Sequence, residues 1–287
     1  MRYVLVGTDG SGRADRAVEW AASEAARRDR ELRIVHGFIW PLLRVSTAPV
    51  PGLEGSGLEA AARQLLAAAA ARAATAAPGL RVSTALTLGA PVPALLAEAD
   101  DAELLVIGSR RLDPVTGLIV GSVGVELAAS APCPLVVVND GPAEPGPVRR
   151  VVVGIDGSDQ ENGTAQAAAV LDFAFDAAAR RTAEIVVVHA TGHRGHRSAE
   201  QAAIQATVET WSDKYPDVAV RTVTEPTSPA TALLTRAAGA DLLVLGAHGR
   251  GGLAGILHGS VSRQALWRAP CPVAVVRPAG IDPRRTR

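Results

Sequence analysis

The chain repeats itself, and this duplication constrains its fold more than any other feature. The same short motifs occur in the same order in both halves of the 287 residues. The matched segments are residues 4–11 with 151–158, 105–109 with 243–247, 121–123 with 259–261, and 131–134 with 269–272. The last three pairs are each separated by 138 residues, so this part of the unit carries no relative insertion. Each copy is therefore expected to form the same fold.

A Pro/Gly-rich segment separates the two copies. Residues 139–147 hold three Pro and two Gly between two Val-rich runs, which predicts a short linker. The chain length suits two domains of roughly 100–200 residues each. We assign the first domain to residues 1–140 and the second to residues 148–279.

Apolar runs alternate with helical patterns in each copy. The runs at residues 151–153, 185–188 and 242–245 are continuously apolar, which is typical of strands buried on both faces of a parallel sheet. The sequence thus predicts an α/β fold, with two tandem, doubly wound, Rossmann-like domains that each contain a five-stranded parallel sheet. The fifth strands, at residues 135–138 and 272–276, are predicted edges whose antiparallel pairing would join the domains within one chain. Further association into a homodimer stays open.

Composition excludes several classes of protein. The 29 Lys+Arg residues balance 29 Asp+Glu residues, which disfavours a protein held to nucleic acid by a basic field. No run of 18 apolar residues predicts a membrane span, and the first residues do not resemble a signal peptide. Two Cys provide neither a disulfide framework nor a four-thiolate zinc site. We therefore expect a cytoplasmic protein.

A glycine-rich segment follows the predicted fourth strand of the second copy. It runs from Gly246 to Ser260, where a helix is predicted to begin. Glycines let consecutive backbone N–H groups converge on a phosphate, and the first N–H groups of a helix lack internal partners. Ser260 adds a hydroxyl, and Arg250 and His248 are candidates to neutralise charge. The chain's only lysine, Lys214, does not follow a glycine, so no P-loop is present. A tight turn without a ligand is the structural alternative.

The spacing Gly246-x2-Gly249-x9-Gly259-Ser260 resembles the nucleotide-binding signature of the universal stress protein (UspA-like) family, in its ATP-binding subclass. The resemblance covers nearly the whole chain as two tandem domains, with an adenine nucleotide alpha hydrolase-like fold. It implies ATP or another adenine nucleotide between the ends of the first and fourth strands, with Mg²⁺ or Mn²⁺ bound through the phosphates, and it assigns no protein ligand to the metal. The residues that it implies in the second copy are Ile155, Asp156, Ala190, Leu245, Gly246, His248, Gly249, Arg250, Gly259, Ser260, Val261 and Ser262.

The first copy departs from this signature. Arg111 stands where the second copy has Gly249, and Gly124 stands where it has Ser262. The matching candidates in the first copy are Thr8, Asp9, Gly108, Arg110, Gly121, Ser122 and Val123. Two interpretations stay open: Arg110 and Arg111 supply charge in place of backbone donors, or this copy is degenerate and structural. We predict that the second copy binds ATP more tightly than the first.

The resemblance implies a stress-response regulator or sensor that binds ATP. The sequence shows no nucleophile elbow and no Cys/His pair with a third member, so we expect little or no ATPase activity. A slow nucleotide-hydrolysing or adenylate-forming enzyme is one alternative, and an interaction module with vestigial sites is another. Asp9 and Asp156 fit either ligand contact or N-caps of the helices that follow.

Overall fold

The computed structural model describes residues 2–38, 57–109, 122–139, 149–155, 161–192, 198–247 and 260–278. It divides into two compact units, residues 1–108 and 109–287. Helix α4 and strand β5, which belong to the first sequence copy, are therefore part of the second unit. The predicted domain ranges, 1–140 and 148–279, stay a prediction.

The first unit is an α/β layer structure around a parallel sheet. Its strands are ordered β3-β2-β1-β4, and every pairing among them is parallel. Leu5, Leu32, Ile34, Leu104 and Leu105 are fully buried in this sheet. Its elements are β1 Tyr3–Gly7, α1 Gly12–Arg27, β2 Glu31–Phe38, α2 Leu58–Ala76, β3 Val82–Leu88, α3 Pro91–Glu98 and β4 Ala102–Gly108.

The second unit contains the complete second copy. Strands β8-β7-β6-β9-β10 form five parallel strands in that order, as the continuous apolar runs predicted. The mostly parallel α/β fold is thereby confirmed. The unit's elements are α4 Ser122–Ser130, β5 Leu135–Val138, β6 Arg150–Gly154, α5 Glu161–Ala179, β7 Glu184–Ala190, α6 Ser198–Lys214, β8 Val220–Glu225, α7 Pro229–Arg236, β9 Leu242–Gly246, α8 Ser260–Arg268 and β10 Val273–Val276.

Strand β5 pairs antiparallel with β10, which is the pairing predicted for the two fifth strands. Val137 faces Val273, Val136 faces Ala274, and Leu135 faces Val275. Val136 and Ala274 are equivalent positions, because they lie 138 residues apart. The register is therefore the same when the two copies are exchanged. Association of two chains stays a prediction.

The duplication extends to the backbone at the helix ends. Asp29 and Thr182, which follow the ends of α1 and α5, both have a φ of 51°. After each, a backbone N–H donates back into the helix: Arg30 N to Ala25 O at 2.9 Å and Ala183 N to Ala178 O at 3.0 Å. A left-handed residue that closes a helix in this way turns the chain directly into the next strand.

The described residues form no helix that is both long and apolar enough to cross a membrane. They also contain no group of three or more His, Cys, Asp or Glu side chains that could hold a metal ion.

A charged network joins α1 to the start of β4 in the first unit. Arg28, which is 5% exposed, donates to Glu24 at 2.7 Å and to Glu103 at 2.9 Å, and Arg30 donates to Glu103 at 2.7 Å. Burial by itself would raise the pKa of the Glu103 carboxyl, but the bonds from Arg28 and Arg30 outweigh it, so the pKa lies below its ordinary value of 4.5.

We expect Glu103→Gln to lower the free energy of unfolding at pH 7 by about 1–2 kcal/mol, since the network is only partly buried. A carboxylate whose pKa is depressed by folding stabilises the folded state above its unfolded pKa, and this stabilisation is lost as the pH falls through the folded pKa. The difference between the two proteins in urea unfolding should therefore shrink below pH 4.5. Glu59→Gln, which removes an exposed pair with Arg63, is the control and should change stability by less than about 0.5 kcal/mol at either pH. A Glu103→Gln effect that is constant with pH would contradict this account.

Candidate functional site

The carboxyl ends of β6 and β9 lie side by side in the second unit. Val153 of β6 pairs with Val244 of β9. From β6 the chain continues to β7 and β8 on one side, whereas β9 and β10 lie on the other side. The strand order thus reverses between β6 and β9, which is where open α/β sheets bind ligands. Gly246 and Ile155 are at these strand ends, as predicted.

Ser262 fixes the first turn of α8 beside the end of β9. Its hydroxyl, in a side chain that is 6% exposed, donates to the backbone oxygen of Gly246 at 3.0 Å. Helix α8 begins at Ser260, and Val261 is half-buried in the same turn. Unpaired N–H groups and the partial positive charge of a helix N-terminus therefore lie next to the strand end. The predicted contact of Ser262 with phosphate stays a prediction, and the structure adds a bond within the protein.

Gly246 packs against a residue that sequence reasoning missed. A Cβ on Gly246 would lie 2.9 Å from Cγ and 3.0 Å from Nε2 of Gln166 on α5. Gln166 is 9% exposed and donates from Nε2 to the backbone oxygen of Val276 at 2.8 Å. Gly246 thus has a packing role besides its place in the phosphate motif. No sequence pattern indicates Gln166, because the equivalent position in the first copy is Arg13.

The last residue of strand β7, Ala190, has its backbone N–H and C=O at the same end of the sheet. Thr191 N donates to Glu225 O of β8 at 3.0 Å, so the polar groups of Ala190, one residue earlier, are directed towards β6. The pairing of β6 with β7 ends at Gly154 and Val188, and Ile155 N donates to Val188 O at 3.5 Å. Among the described residues, the pairing with β6 thus stops before Ala190, whose N–H and C=O lie beyond its end.

Leu245 is 3% exposed and packs beneath the last residue of β6. Its Cδ2 atom would be 2.6 Å from a Cβ on Gly154. A contact with the nucleotide is thus left to the Leu245 backbone and stays a prediction. Five further predicted residues of this copy lie outside the described residues: Asp156, His248, Gly249, Arg250 and Gly259.

In the first copy, the backbone of Thr8 is held by hydrogen bonds at the end of β1. Thr8 is 6% exposed, its N–H donates to Val35 O at 2.9 Å, and its carbonyl lies 2.8 Å from Nδ1 of His36. Asp9 Oδ1 accepts from Ser11 N at 3.0 Å. The N-cap of α1 is Ser11, whose side chain accepts from Ala14 N, so the N-cap alternative for Asp9 was wrong. The carboxylate of Asp9 organises the turn that leads to the cap.

The remaining candidates of the first copy lie in different units or outside the described residues. Gly108 ends β4 in the first unit, whereas Ser122 begins α4 and Val123 is half-buried in α4 of the second unit. Arg110 and Gly121 lie outside the described residues. A Cβ on Gly108 would be 2.7 Å from the backbone oxygen of Arg13, so here the backbone of α1 itself approaches the strand end.

Comparison with known proteins identifies one family. The model of the universal stress protein family matches residues 1–139 and again residues 147–277. A universal stress protein of Mycobacterium tuberculosis is 36% identical over 96% of this chain and 96% of its own length. One from Mycolicibacterium smegmatis is 31% identical over 96% of this chain and 97% of its own. The crystal structure of a universal stress protein from Archaeoglobus fulgidus has a TM-score of 0.71 at 18% identity, and covers 97% of this chain and 98% of its own, which supports the fold.

We expect Gly108→Ala to destabilise the protein by about 1–3 kcal/mol, because a Cβ there meets the backbone of α1, which cannot rotate away. Gly12→Ala is the matched control, since its Cβ would meet no atom within 4 Å. That change should leave stability unchanged or raise it by up to about 1 kcal/mol. Urea unfolding of both variants measures the difference. Equal effects of the two substitutions would show that the close approach at Gly108 is not a constraint.

Proposed function

The chain belongs to the universal stress protein family, and from this premise we propose that its second copy binds an adenine nucleotide, ATP in particular, at the ends of β6 and β9. The bound nucleotide would serve a stress-response regulator or sensor, and turnover would be slow or absent.

The bond from Ser262 to Gly246 is the observation that carries the proposal. It brings the N-terminus of a nine-residue helix to the end of a buried strand at the reversal of strand order. Backbone N–H groups and the helix dipole at such a place favour a phosphate group. The glycine-rich segment of the sequence connects these same two points.

The backbone N–H and C=O of Ala190 suit the recognition of an adenine base. A backbone N–H and C=O side by side match the N1 acceptor and the N6 amino donor of adenine. Ile155 lies half-buried next to these groups and offers an apolar surface to the base. The base and the phosphates would then lie over β7 and β9, with the ribose across the end of β6.

A divalent cation, Mg²⁺ or Mn²⁺, would be held through the phosphates of the nucleotide. Its chemistry there is charge neutralisation of the polyphosphate. Within the part of the chain that the structure describes, the residues that end β6 and β9 are Gly154, Ile155, Gly246 and Ala247, and none of these side chains can act as a general base. Asp156 and His248, which follow them, lie outside the described residues, and the proposal of slow turnover rests on the sequence, which has no nucleophile elbow and no Cys/His pair with a third member.

Calorimetric titration of the full chain with MgATP tests the site. We expect Gly259→Arg to weaken binding at least tenfold, because a bulky side chain would fill the phosphate position. The matched control is Gly121→Arg in the first copy, which should leave the tight site intact. Loss of binding only in Gly121→Arg, or wild-type protein that takes up no nucleotide, would overturn the assignment to the second copy.

Product analysis separates binding from catalysis. We expect turnover of ATP below about 1 s⁻¹, the low end of typical enzyme rates. Release of AMP and pyrophosphate at a higher rate would instead identify an adenylate-forming enzyme. Protein that shows no thermal shift with MgATP would identify an interaction module whose sites are vestigial.

A further inference from the structure

The backbone oxygen of Val276, at the end of β10, accepts two hydrogen bonds. One comes from Ala247 N at 2.9 Å and the other from Gln166 Nε2 at 2.8 Å. A carbonyl oxygen has two lone pairs, so this acceptor is fully used. Three elements, the end of β9, the end of β10 and helix α5, are thereby joined at one atom.

The amide of Gln166 is a polar group on the buried, mostly apolar face of α5. It is 9% exposed, and α5 is otherwise buried through residues such as Val170, Leu171 and Ala174. A methionine would fill similar space without an amide to satisfy, and the Val276 oxygen would keep its bond from Ala247 N, so no buried acceptor would be left unpaired. The hydrogen bond therefore contributes orientation more than stability.

The peptide between Gly246 and Ala247 is held from three directions. Ser262 Oγ donates to the oxygen of Gly246, Ala247 N donates to Val276, and the Gln166 side chain lies against Gly246 where a Cβ would be. This is the last peptide that the structure describes before α8. Because Ser262 in the first turn of α8 bonds to it, its orientation sets where the N-terminus of that helix lies.

The first copy lacks both side-chain contributions. Arg13 stands in place of Gln166, at the spacing of 153 residues that also separates His36 from His189. Gly124 stands in place of Ser262. The backbone contact at the end of the fourth strand is kept, since Ser109 N donates to Val138 O at 2.9 Å. The two copies thus share the main-chain bond and differ in the side chains around it.

We propose that Gln166 is a positioning residue of the nucleotide site in the second copy. Its amide bonds to the end of β10 and its side chain packs against Gly246, so it fixes the end of β9 to which the first turn of α8 is bonded through Ser262. The backbone N–H groups of that turn would receive the phosphates. It contacts no nucleotide itself. The inference rests on the proposed function and adds the residue that orients the phosphate-binding part of the site.

Titration of the full chain with MgATP and, separately, with adenosine tests this role. Gln166→Met keeps the volume and removes the hydrogen bond, so MgATP should bind about tenfold more weakly, the effect of losing roughly one hydrogen bond. Adenosine, which has no phosphate, should keep its affinity within twofold. Gln205→Met, on the exposed face of α6, is the matched control and should change neither affinity.

Ser262→Ala provides a second variant, because it removes the side-chain hydrogen bond to the oxygen of Gly246, the residue against which Gln166 packs. It should likewise weaken the binding of MgATP and leave the binding of adenosine unchanged. Unchanged MgATP affinity in Gln166→Met, or an equal loss for MgATP and adenosine, would overturn the positioning role while leaving the proposed function in place. Wild-type protein that binds neither ligand would overturn the proposed function and this inference with it.

Discussion

Close packing at the carboxyl ends of the strands governs the arrangement of this protein. Each copy places a glycine at the end of its first and fourth strands, and a Cβ at any of these positions would meet a neighbour within 3.0 Å. Leu95 lies over Gly7 and Leu233 lies over Gly154, while α1 approaches Gly108 and Gln166 approaches Gly246. The helices can therefore reach the strand ends where a ligand would bind. Gly246, the first glycine of the motif, has this structural cause independently of any nucleotide.

The two copies share backbone features but differ in the side chains at their strand ends. Helices α1 and α5 are each followed by a left-handed residue, Asp29 and Thr182, and the residue after each fourth strand makes an equivalent main-chain bond, Ser109 N to Val138 O and Ala247 N to Val276 O. They differ in side chains at the strand ends: Gln166 of the second copy stands where the first copy has Arg13. A duplicated chain can keep the packing of both copies while the chemistry of one diverges, because core residues and strand-end residues are different sets.

Two residues at equivalent positions, one after β5 and one after β10, donate hydrogen bonds to the other copy. Asn139 donates from Nδ2 to Cys271 O at 3.3 Å, and Arg277, its equivalent in the second copy, donates from Nε to Ala128 O at 3.2 Å. Burial lowers the pKa of the Arg277 guanidinium, and burial raises the pKa of the Cys271 thiol to about 12. A thiol with that pKa stays protonated, so Cys271, which is buried, acts as a small packing residue.

Patterns among neighbouring residues predict the duplication, the alternation of strands and helices, the parallel sheet and the antiparallel pairing of the fifth strands. The unbroken apolar run at 242–245 is one such pattern, because it can be recognised without knowing which residues meet in space. Three hydrogen bonds are visible only in the folded protein: the bond by which Ser11 rather than Asp9 caps α1, the bond from Ser262 to Gly246, and the bond from Gln166 to Val276 across 110 residues of chain. A hydrogen bond depends on distance and direction in space, and residues far apart in the chain acquire both only when the sheet and its helices have packed.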